Sequence, residues 1–242
     1  MTRLYVDMPL TANTETALPD DAAHHLVRVL RATVGDRVTL FNGYGGAYDA
    51  ELIHAGKRDA HVRLATFLPN DNASPLHTHL GQVMSRGERM DYAIQKATEL
   101  GVSEITPLTS ERCELKLRGE ERADKKLEHW RRIAIAACEQ SGRNQLPIIH
   151  APVSLDEWQT HIAADLKLVL APATSGSLPA TTTITRIALL IGPEGGLSER
   201  EINAARGNSF TPWQLGPRVL RTETAPVAAL AILQHHFGDF RT

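Results

Sequence analysis

Two loops in the C-terminal part of the chain carry the residues whose types and spacing suggest chemistry. The first is Ile191-Gly192-Pro193-Glu194-Gly195-Gly196-Leu197, directly after an apolar run. The second runs from Leu215 to Pro226, directly before another apolar stretch. Glycine at the end of a strand lets another molecule approach the backbone closely, because no Cβ stands in the way. The pair therefore predicts a binding site built from main chain, with Arg221 and Glu223 at its edge.

The first loop does not match the common phosphate-binding motifs. It is neither GxGxxG nor GxxxxGK[ST], and Glu194 would repel a phosphate. A neutral or cationic ligand fits better, and S-adenosylmethionine, with its sulfonium and ammonium groups, would suit a carboxylate and exposed carbonyls. A tight turn between a strand and a helix, with no ligand, explains this loop equally well when it is taken alone.

The second loop places two arginines, Arg218 and Arg221, just before an apolar helix. Glu223 and Thr224 suit the start of that helix, where a cap and a negative charge are both favourable. The positive end of the helix dipole should disfavour the arginines. Their placement therefore indicates a negatively charged partner, such as a phosphate or a developing anion.

Composition excludes several classes of protein. The chain has 242 residues and a formal net charge of −2, so any nucleic-acid binding must come from a local patch. No apolar run approaches the roughly 18 to 20 residues that span a bilayer, and the first seven residues lack the apolar segment of a signal peptide. We therefore expect a soluble cytoplasmic protein with no membrane partner.

Neither the cysteines nor the histidines predict a metal site. Cys113 and Cys138 are the only cysteines and are expected to be free thiols. Among the 11 histidines, His77 and His79 could share one face of a strand, but no third ligand lies near them in the sequence. We therefore expect scattered surface histidines and no metal.

The pattern of elements changes near residue 70. Residues 1–70 combine β-like runs at 3–6, 37–41, 48–53 and 61–65 with one helix over 20–31, which predicts a small β-barrel. Residues 71–242 alternate strands with helices, with capping boxes at Ser154/Glu157 and Ser198/Glu201. That alternation predicts an α/β domain with a mostly parallel sheet, whose ligands bind at the carboxyl ends of the strands.

Six segments of the chain carry a resemblance to a known family. They are residues 25–31, 89–102, 110–113, 139–143, 191–197 and 215–225. Together they resemble the ribosomal RNA small-subunit methyltransferase E family of the SPOUT, or trefoil-knot, methyltransferases. The resemblance covers nearly the whole chain, and the last two segments are the most specific. One departure is in the segment before Met90, where family members often have lysine and this chain has Arg86 and Arg89.

The resemblance implies a fold, a cofactor and a substrate. It implies an N-terminal PUA-like barrel that helps to bind RNA, and a C-terminal domain with a deep trefoil knot that holds S-adenosylmethionine without a metal. Family members are homodimers. They methylate N3 of a uridine in the decoding region of 16S rRNA, near its 3′ end, within the 30S subunit.

The resemblance also implies roles for individual residues. Arg221 would stabilise the uridine anion, and Glu223 would accept a proton or hold Arg221 in place. The expected RNA contacts are Arg3, Arg28, Arg31, Arg112, Lys116 and Arg143. The expected cofactor contacts are Leu170, Ala171, Pro172, Ile191, Gly192, Pro193, Glu194, Gly195, Gly196, Leu215, Gly216, Val219, Leu220, Thr222, Thr224 and Ala225.

Two other functions stay open at this stage. A related SPOUT enzyme would methylate a different site, such as a ribose 2′-hydroxyl of tRNA or rRNA. An RNA-binding assembly factor would keep the fold but lack catalysis. A nucleotide-dependent enzyme fits least, because no phosphate loop is present.

Overall fold

The computed structural model describes residues 2–56, 59–70, 72–115, 119–171, 178–179 and 183–240. Two compact units are present. The first comprises Met1–Ala73 with Ile135–Leu146, and the second comprises Ser74–Ala134 with Pro147–Thr242. The sequence predicts a domain boundary between residues 70 and 71, whereas the structure divides the chain between Ala73 and Ser74. The sequence pattern does not predict that residues 135–146 pack with the first unit.

The first unit is built on a five-stranded sheet. The strands are β1 (Thr2–Tyr5), β2 (Glu15–Ala17), β3 (Arg37–Phe41), β4 (Ala47–Ala55) and β5 (Ala60–Leu68). Their order in the sheet is β1-β3-β4-β5-β2. The pair β1/β3 is parallel, and the other pairs are antiparallel. Leu26, Leu40, Leu52 and Val62 are fully buried in its core.

The helix predicted over residues 20–31 is shorter and less regular than expected. Helix α1 covers Asp20–His24, and the chain continues through a π-helical turn over His25–Val29. A π turn takes up an extra residue, so it rotates the following side chains out of the apolar stripe. Val29 and Leu30, expected to face inward, are accordingly 57% and 42% exposed.

Hydrogen bonds within the first unit explain why residues 135–146 belong to it. The carboxylate of Glu139 accepts from the backbone N–H of Tyr5 at 2.9 Å. Arg3 donates to the side chain of Asn144, whose own amide donates to the carbonyl of Asn70 at 2.6 Å. Burial raises the pKa of Glu139. These contacts join residues more than 70 positions apart, so sequence pattern alone does not show them.

The second unit is built on a parallel sheet of seven strands. The strands are β6 (His77–Val83), β7 (Glu104–Thr109), β8 (Ile148–Ile149), β9 (Val153–Ser154), β10 (Leu166–Leu170), β11 (Arg186–Ile191) and β12 (Thr211–Trp213). Their order is β12-β10-β11-β6-β7-β8, and β9 also pairs with β7. Every pair in this sheet is parallel. Leu80, Val169 and Leu189 lie in its core.

Glycines and capping serines mark the ends of several of the remaining helices. Gly101 and Gly142 follow helices and have φ of +82° and +83°, which favours glycine. Ser198 and Glu201 form a reciprocal capping box, whereas at Ser154 only the side-chain acceptor is present. The helices are α2 (Glu88–Glu99), α3 (Glu120–Ser141), α4 (Leu155–His161), α5 (Glu199–Gly207) and α6 (Thr224–Phe237).

Strand order and pairing do not test the knot that the resemblance implies, and it stays a prediction. Among the described residues, no helix has both the length and the apolar character needed to cross a membrane.

Candidate active site

A cavity of about 730 Å³ opens at the carboxyl end of the parallel sheet. It lies where β10 ends at Leu170, where β11 ends at Ile191 and where β12 ends at Trp213. Sites for small molecules typically occupy about 300 to 1,000 Å³. The cavity therefore lies where the α/β pattern predicts a ligand, and it has a suitable size.

Most of the predicted cofactor residues line this cavity, together with both predicted catalytic residues. Gly216 and Thr224 do not line it, and Pro172 lies outside the described residues. Thr224 is exposed in the first turn of α6, and the carbonyl of Gly216 accepts a hydrogen bond from Gln214. The predicted residues that line it are Leu170, Ala171, Ile191, Gly192, Pro193, Glu194, Gly195, Gly196, Leu215, Val219, Leu220, Arg221, Thr222, Glu223 and Ala225.

The wall also contains residues that the sequence assigned elsewhere or left out. Arg112 was expected as an RNA contact, and Arg89 belongs to a segment that resembles the family. Trp213 carried no signal, because a three-residue strand containing proline does not stand out in a sequence. The additional lining residues are Arg89, Arg112, Leu197, Ile202, Trp213, Gln214, Pro217 and Arg218.

The first loop closes on itself through a tight turn. The N–H of Gly196 donates to the carbonyl of Pro193 at 2.9 Å, and Gly196 has φ of +68°. A Cβ at Gly192 would lie 3.0 Å from Leu197 Cγ, closer than ordinary contact. Glycine is thus required by the backbone at one position and by the close approach of a side chain at the other.

A buried hydrogen-bond chain joins the two loops. Gln82, at the end of β6, donates to the hydroxyl of Thr222 at 3.1 Å. Thr222 in turn donates to the carbonyl of Gly192 at 2.9 Å. Both side chains are buried, so these bonds are shielded from water. The chain holds the two walls of the cavity at a fixed separation.

Two arginines contact the first loop: Arg89 belongs to α2, and Arg112 follows β7. Arg89 Nη1 lies 2.8 Å from Glu194 Oε1, and Arg112 Nη1 donates to the carbonyl of Gly195 at 2.9 Å. The hydrogen bond to Glu194 and the charge of that carboxylate raise the pKa of Arg89, and Glu223 adds to the effect. Glu194 is therefore part of an ion pair at the mouth of the cavity.

The second loop presents an arginine and a carboxylate that are not paired with each other. The carbonyl of Arg221 accepts from the N–H groups of Thr224 and Ala225, which fixes the turn into α6. Glu223 is the N-cap of α6 by position, but its side chain makes no capping hydrogen bond. Both residues are described, and no ion pair joins them. Glu223 therefore places its negative charge at the start of α6, as expected, without capping the helix through its side chain.

Glu223 has an unsatisfied oxygen in the cavity wall. Its Oε2 is buried and has no hydrogen-bond partner among the described residues. Buried polar atoms are nearly always hydrogen-bonded, so an exception indicates a missing partner. A cation or a hydrogen-bond donor in the cavity would supply it. Glu194, by contrast, already pairs with Arg89.

The residues predicted to contact RNA differ in exposure. Arg28 and Arg31 are exposed in the first unit. Arg3 is part-buried, with its guanidinium 5.2 Å from the centre of the Phe41 ring. Arg143 is only 7% exposed, so its burial does not support a phosphate contact and corrects that expectation. Lys116 lies outside the described residues.

Comparison with known proteins matches both units of the chain. A model of the RNA methyltransferase domain matches residues 72–234, and one of the RNA methyltransferase PUA domain matches residues 18–65. The ribosomal RNA small subunit methyltransferase E of Buchnera aphidicola subsp. Acyrthosiphon pisum is 35% identical over 99% of this chain and 95% of its own. That of Bacillus subtilis is 29% identical over 90% of this chain and 89% of its own.

Solved structures agree with this match. The ribosomal RNA small subunit methyltransferase E of Neisseria gonorrhoeae, bound to S-adenosyl methionine, has a TM-score of 0.93 and 38% identity over 99% of both chains. A Legionella pneumophila protein in complex with bound SAM has a TM-score of 0.94 and 42% identity over 99% of both chains. The chain therefore belongs to the ribosomal RNA small subunit methyltransferase E family.

Proposed function

We propose that this protein transfers the methyl group of S-adenosylmethionine to N3 of one uridine in the decoding region of 16S rRNA, near its 3′ end. The observation that carries the proposal is the cavity at the carboxyl end of the parallel sheet. Its walls are the two loops that resemble the family, and a relative with 38% identity over 99% of both chains was solved bound to S-adenosyl methionine.

The cavity is large enough for this cofactor. Main-chain carbonyl groups of the glycine loop would meet the ammonium and the sulfonium, and Gly192 leaves room beside the backbone. Main-chain groups of Leu215, Val219 and Leu220 would meet the adenine, which offers both donors and acceptors. When bound, S-adenosylmethionine supplies a methyl group that a nucleophile can attack without help from a metal.

Arg221 would stabilise the negative charge that develops on the uracil. Uridine N3 is a poor nucleophile while it keeps its proton, and the anion spreads over N3, O2 and O4. A guanidinium stays charged at neutral pH and can donate two parallel hydrogen bonds to such oxygens. Arg221 is exposed at the cavity and is not paired with Glu223, so it is available to a base that enters from solvent.

Glu223 would accept the N3 proton. The alternative expectation, that it only orients Arg221, loses support because no ion pair joins the two described side chains. A carboxylate oxygen without a partner keeps its lone pairs available, which a general base requires.

RNA binding would use the first unit as well as the cavity. Arg28 and Arg31 are exposed and can contact phosphates, and Arg3 and Arg112 would add to them. Lys116 stays a prediction. Because the uridine lies in folded RNA of the 30S subunit, we expect recognition by shape more than by sequence.

The remaining features follow from the family and belong to the proposal. We infer a homodimer, a knotted cofactor domain and action in the cytoplasm, where small subunits are assembled. Gly216 and Thr224 stay predicted cofactor contacts, although the cavity wall does not include them.

Product mapping tests the proposal. Unmodified 30S subunits are incubated with the protein and methyl-labelled S-adenosylmethionine, and the rRNA is then digested to nucleosides. Label in N3-methyluridine supports the proposal. Label in a 2′-O-methyl nucleoside would identify a related enzyme with another target. Cofactor binding by calorimetry without label in RNA would instead favour the assembly factor.

A further inference from the structure

Four side chains with metal-binding atoms meet at the amino end of the parallel sheet, away from the cavity. His77 and His79 lie at the start of β6, Glu104 begins β7, and His150 directly follows β8. His79 pairs with Glu104 in the register, and Glu104 pairs with Ile148, two residues before His150. Neighbours in register share a face, as do residues two apart on a strand. The pleat therefore places all four on one face, and we call them the histidine cluster.

The carboxylate of Glu104 is the centre of this cluster. Its Oε2 lies 3.5 Å from His79 Nδ1 and 2.6 Å from His150 Nε2. Its Oε1 lies 3.1 Å from His77 Nε2. The nearest ligand atoms of His79, Glu104 and His150 all lie within 4.8 Å of one another. A zinc ion with ligands at about 2.0 to 2.2 Å would therefore need only small rotations of these side chains.

Neighbouring residues hydrogen-bond to the imidazole of His79 and hold it in place, as is common for histidines that bind metals. His79 Nε2 lies 2.7 Å from the hydroxyl of Thr106 and accepts from the indole N–H of Trp158 at 3.3 Å. A metal ion at Nδ1 would shift the ring proton to Nε2, which would then donate to the Thr106 hydroxyl instead of accepting from Trp158. The indole of Trp158 reaches this position because Gly81 has no side chain: a Cβ there would lie 2.6 Å from the ring.

We propose that His79, Glu104 and His150 bind one zinc-like divalent transition-metal ion, and that His77 orients the carboxylate from its other oxygen. Two imidazoles and one carboxylate suit zinc, whereas magnesium and calcium prefer oxygen ligands. His150 is half-exposed, which leaves a path for the ion and a position for water. The ion would connect β6, β7 and the residue after β8, and would stabilise the second unit. Glu104 and His150 are far from His77 and His79 in the sequence, and the fold brings their ligand atoms together.

Zinc titration of the untagged, metal-free protein tests the proposal. We expect one equivalent bound in calorimetry, with a dissociation constant below about 10 µM, and a higher melting temperature with zinc. His150→Ala should weaken binding at least tenfold and remove the thermal shift, because it deletes a ligand. The matched control is His54→Ala, which removes a histidine beside Asp59 in the first unit and should bind zinc like the wild type.

A second variant separates a metal site from a merely hydrogen-bonded cluster. Thr106→Val removes the acceptor of His79 Nε2 without removing a ligand, and such changes typically weaken metal binding about 10- to 100-fold. Cobalt(II) added to the wild type should give the intense visible absorption of a tetrahedral site, and excess magnesium should not compete. Circular dichroism confirms that each variant is folded.

Three results would overturn the proposal. One is the absence of saturable zinc binding by the wild type at 100 µM zinc. Another is wild-type affinity in folded His150→Ala. The third is an equal loss of affinity in His54→Ala and His150→Ala, which would indicate surface histidines that bind zinc without a built site.

Discussion

The two ends of the parallel sheet carry different kinds of site. At the carboxyl end, the cavity is built from two loops, each continuous in sequence and held together by backbone turns and the Gln82–Thr222–Gly192 chain. At the amino end, the histidine cluster is built from residues of β6 and β7 and the residue after β8, which are far apart in the sequence. The first arrangement leaves a recognisable motif in the sequence, and the second does not. The carboxyl end is proposed for methyl transfer, and the amino end for stability.

The largest expected effect is the loss of activity in Arg221→Ala. Removing a donor that stabilises a developing anion typically lowers kcat about 10²- to 10³-fold. Affinity for S-adenosylmethionine should stay within about threefold, because this residue is assigned to the uracil. The measurement is label transfer to unmodified 30S subunits, beside calorimetry. Arg206→Ala, exposed on α5, is the control and should be fully active. Unchanged turnover in Arg221→Ala would remove this residue from the mechanism.

The next effect is on cofactor affinity in Gly192→Val. A side chain there would press on Leu197 at 3.0 Å and displace the loop. Overpacking of this kind costs about 1 to 3 kcal/mol, and a displaced loop that loses as much in binding would lower the affinity roughly 5- to 160-fold. Calorimetry with S-adenosylmethionine measures it. Gly207→Val is the control, since a Cβ added there, at the end of α5, would have no neighbouring atom within 4 Å. Equal affinity in both variants would place the cofactor elsewhere.

A smaller effect is expected on stability in Thr222→Val. The change removes the hydroxyl that donates to the carbonyl of Gly192 and accepts from the Gln82 amide at a buried position, and leaves that amide only its bond to the carbonyl of Val83. Such a loss costs about 1 to 3 kcal/mol. Urea unfolding followed by circular dichroism gives the free energy of unfolding. Thr160→Val, on the exposed face of α4, should change it by much less. If both variants lose the same amount, the buried chain does not hold the loops.

The smallest effect concerns Asp165, at the amino end of the sheet. Its carboxylate accepts from the backbone N–H groups of Thr185 and Arg186, both at 2.9 Å, and these bonds lower its pKa. The stabilisation is therefore present above the unfolded pKa of 3.8 and is lost as pH falls through the lower folded value. Asp165→Asn should reduce the melting temperature slightly at pH 7, and the difference should shrink as pH falls below 4. A difference that does not change with pH would exclude the carboxylate charge as its cause.

Sequence predicted the carboxyl end well because local rules fix it. Ser198 and Glu201 cap α5, and the glycines of the first loop follow an apolar strand. Each of these signals acts over a few residues, so the sequence contains it directly. The predicted residues Leu170, Glu194 and Thr222 accordingly meet at one cavity.

The remaining features depend on contacts between distant residues. No sequence pattern near His79 predicts that Glu104 and His150 lie beside it, because only the strand register brings them together. Likewise, residues 135–146 join the first unit through contacts such as Glu139 with Tyr5. The π-helical turn at residues 25–29 is a third case, because a helical period alone does not reveal an extra residue in the turn.

A crystal structure with S-adenosylmethionine tests the central claim most directly. The account predicts density for one cofactor between residues 191–197 and 215–222, with its methyl group facing Arg221 and Glu223. Cofactor density at any other place, or crystals that stay empty at saturating cofactor although the loops are ordered, would contradict the assignment of methyl transfer to the carboxyl end of the sheet.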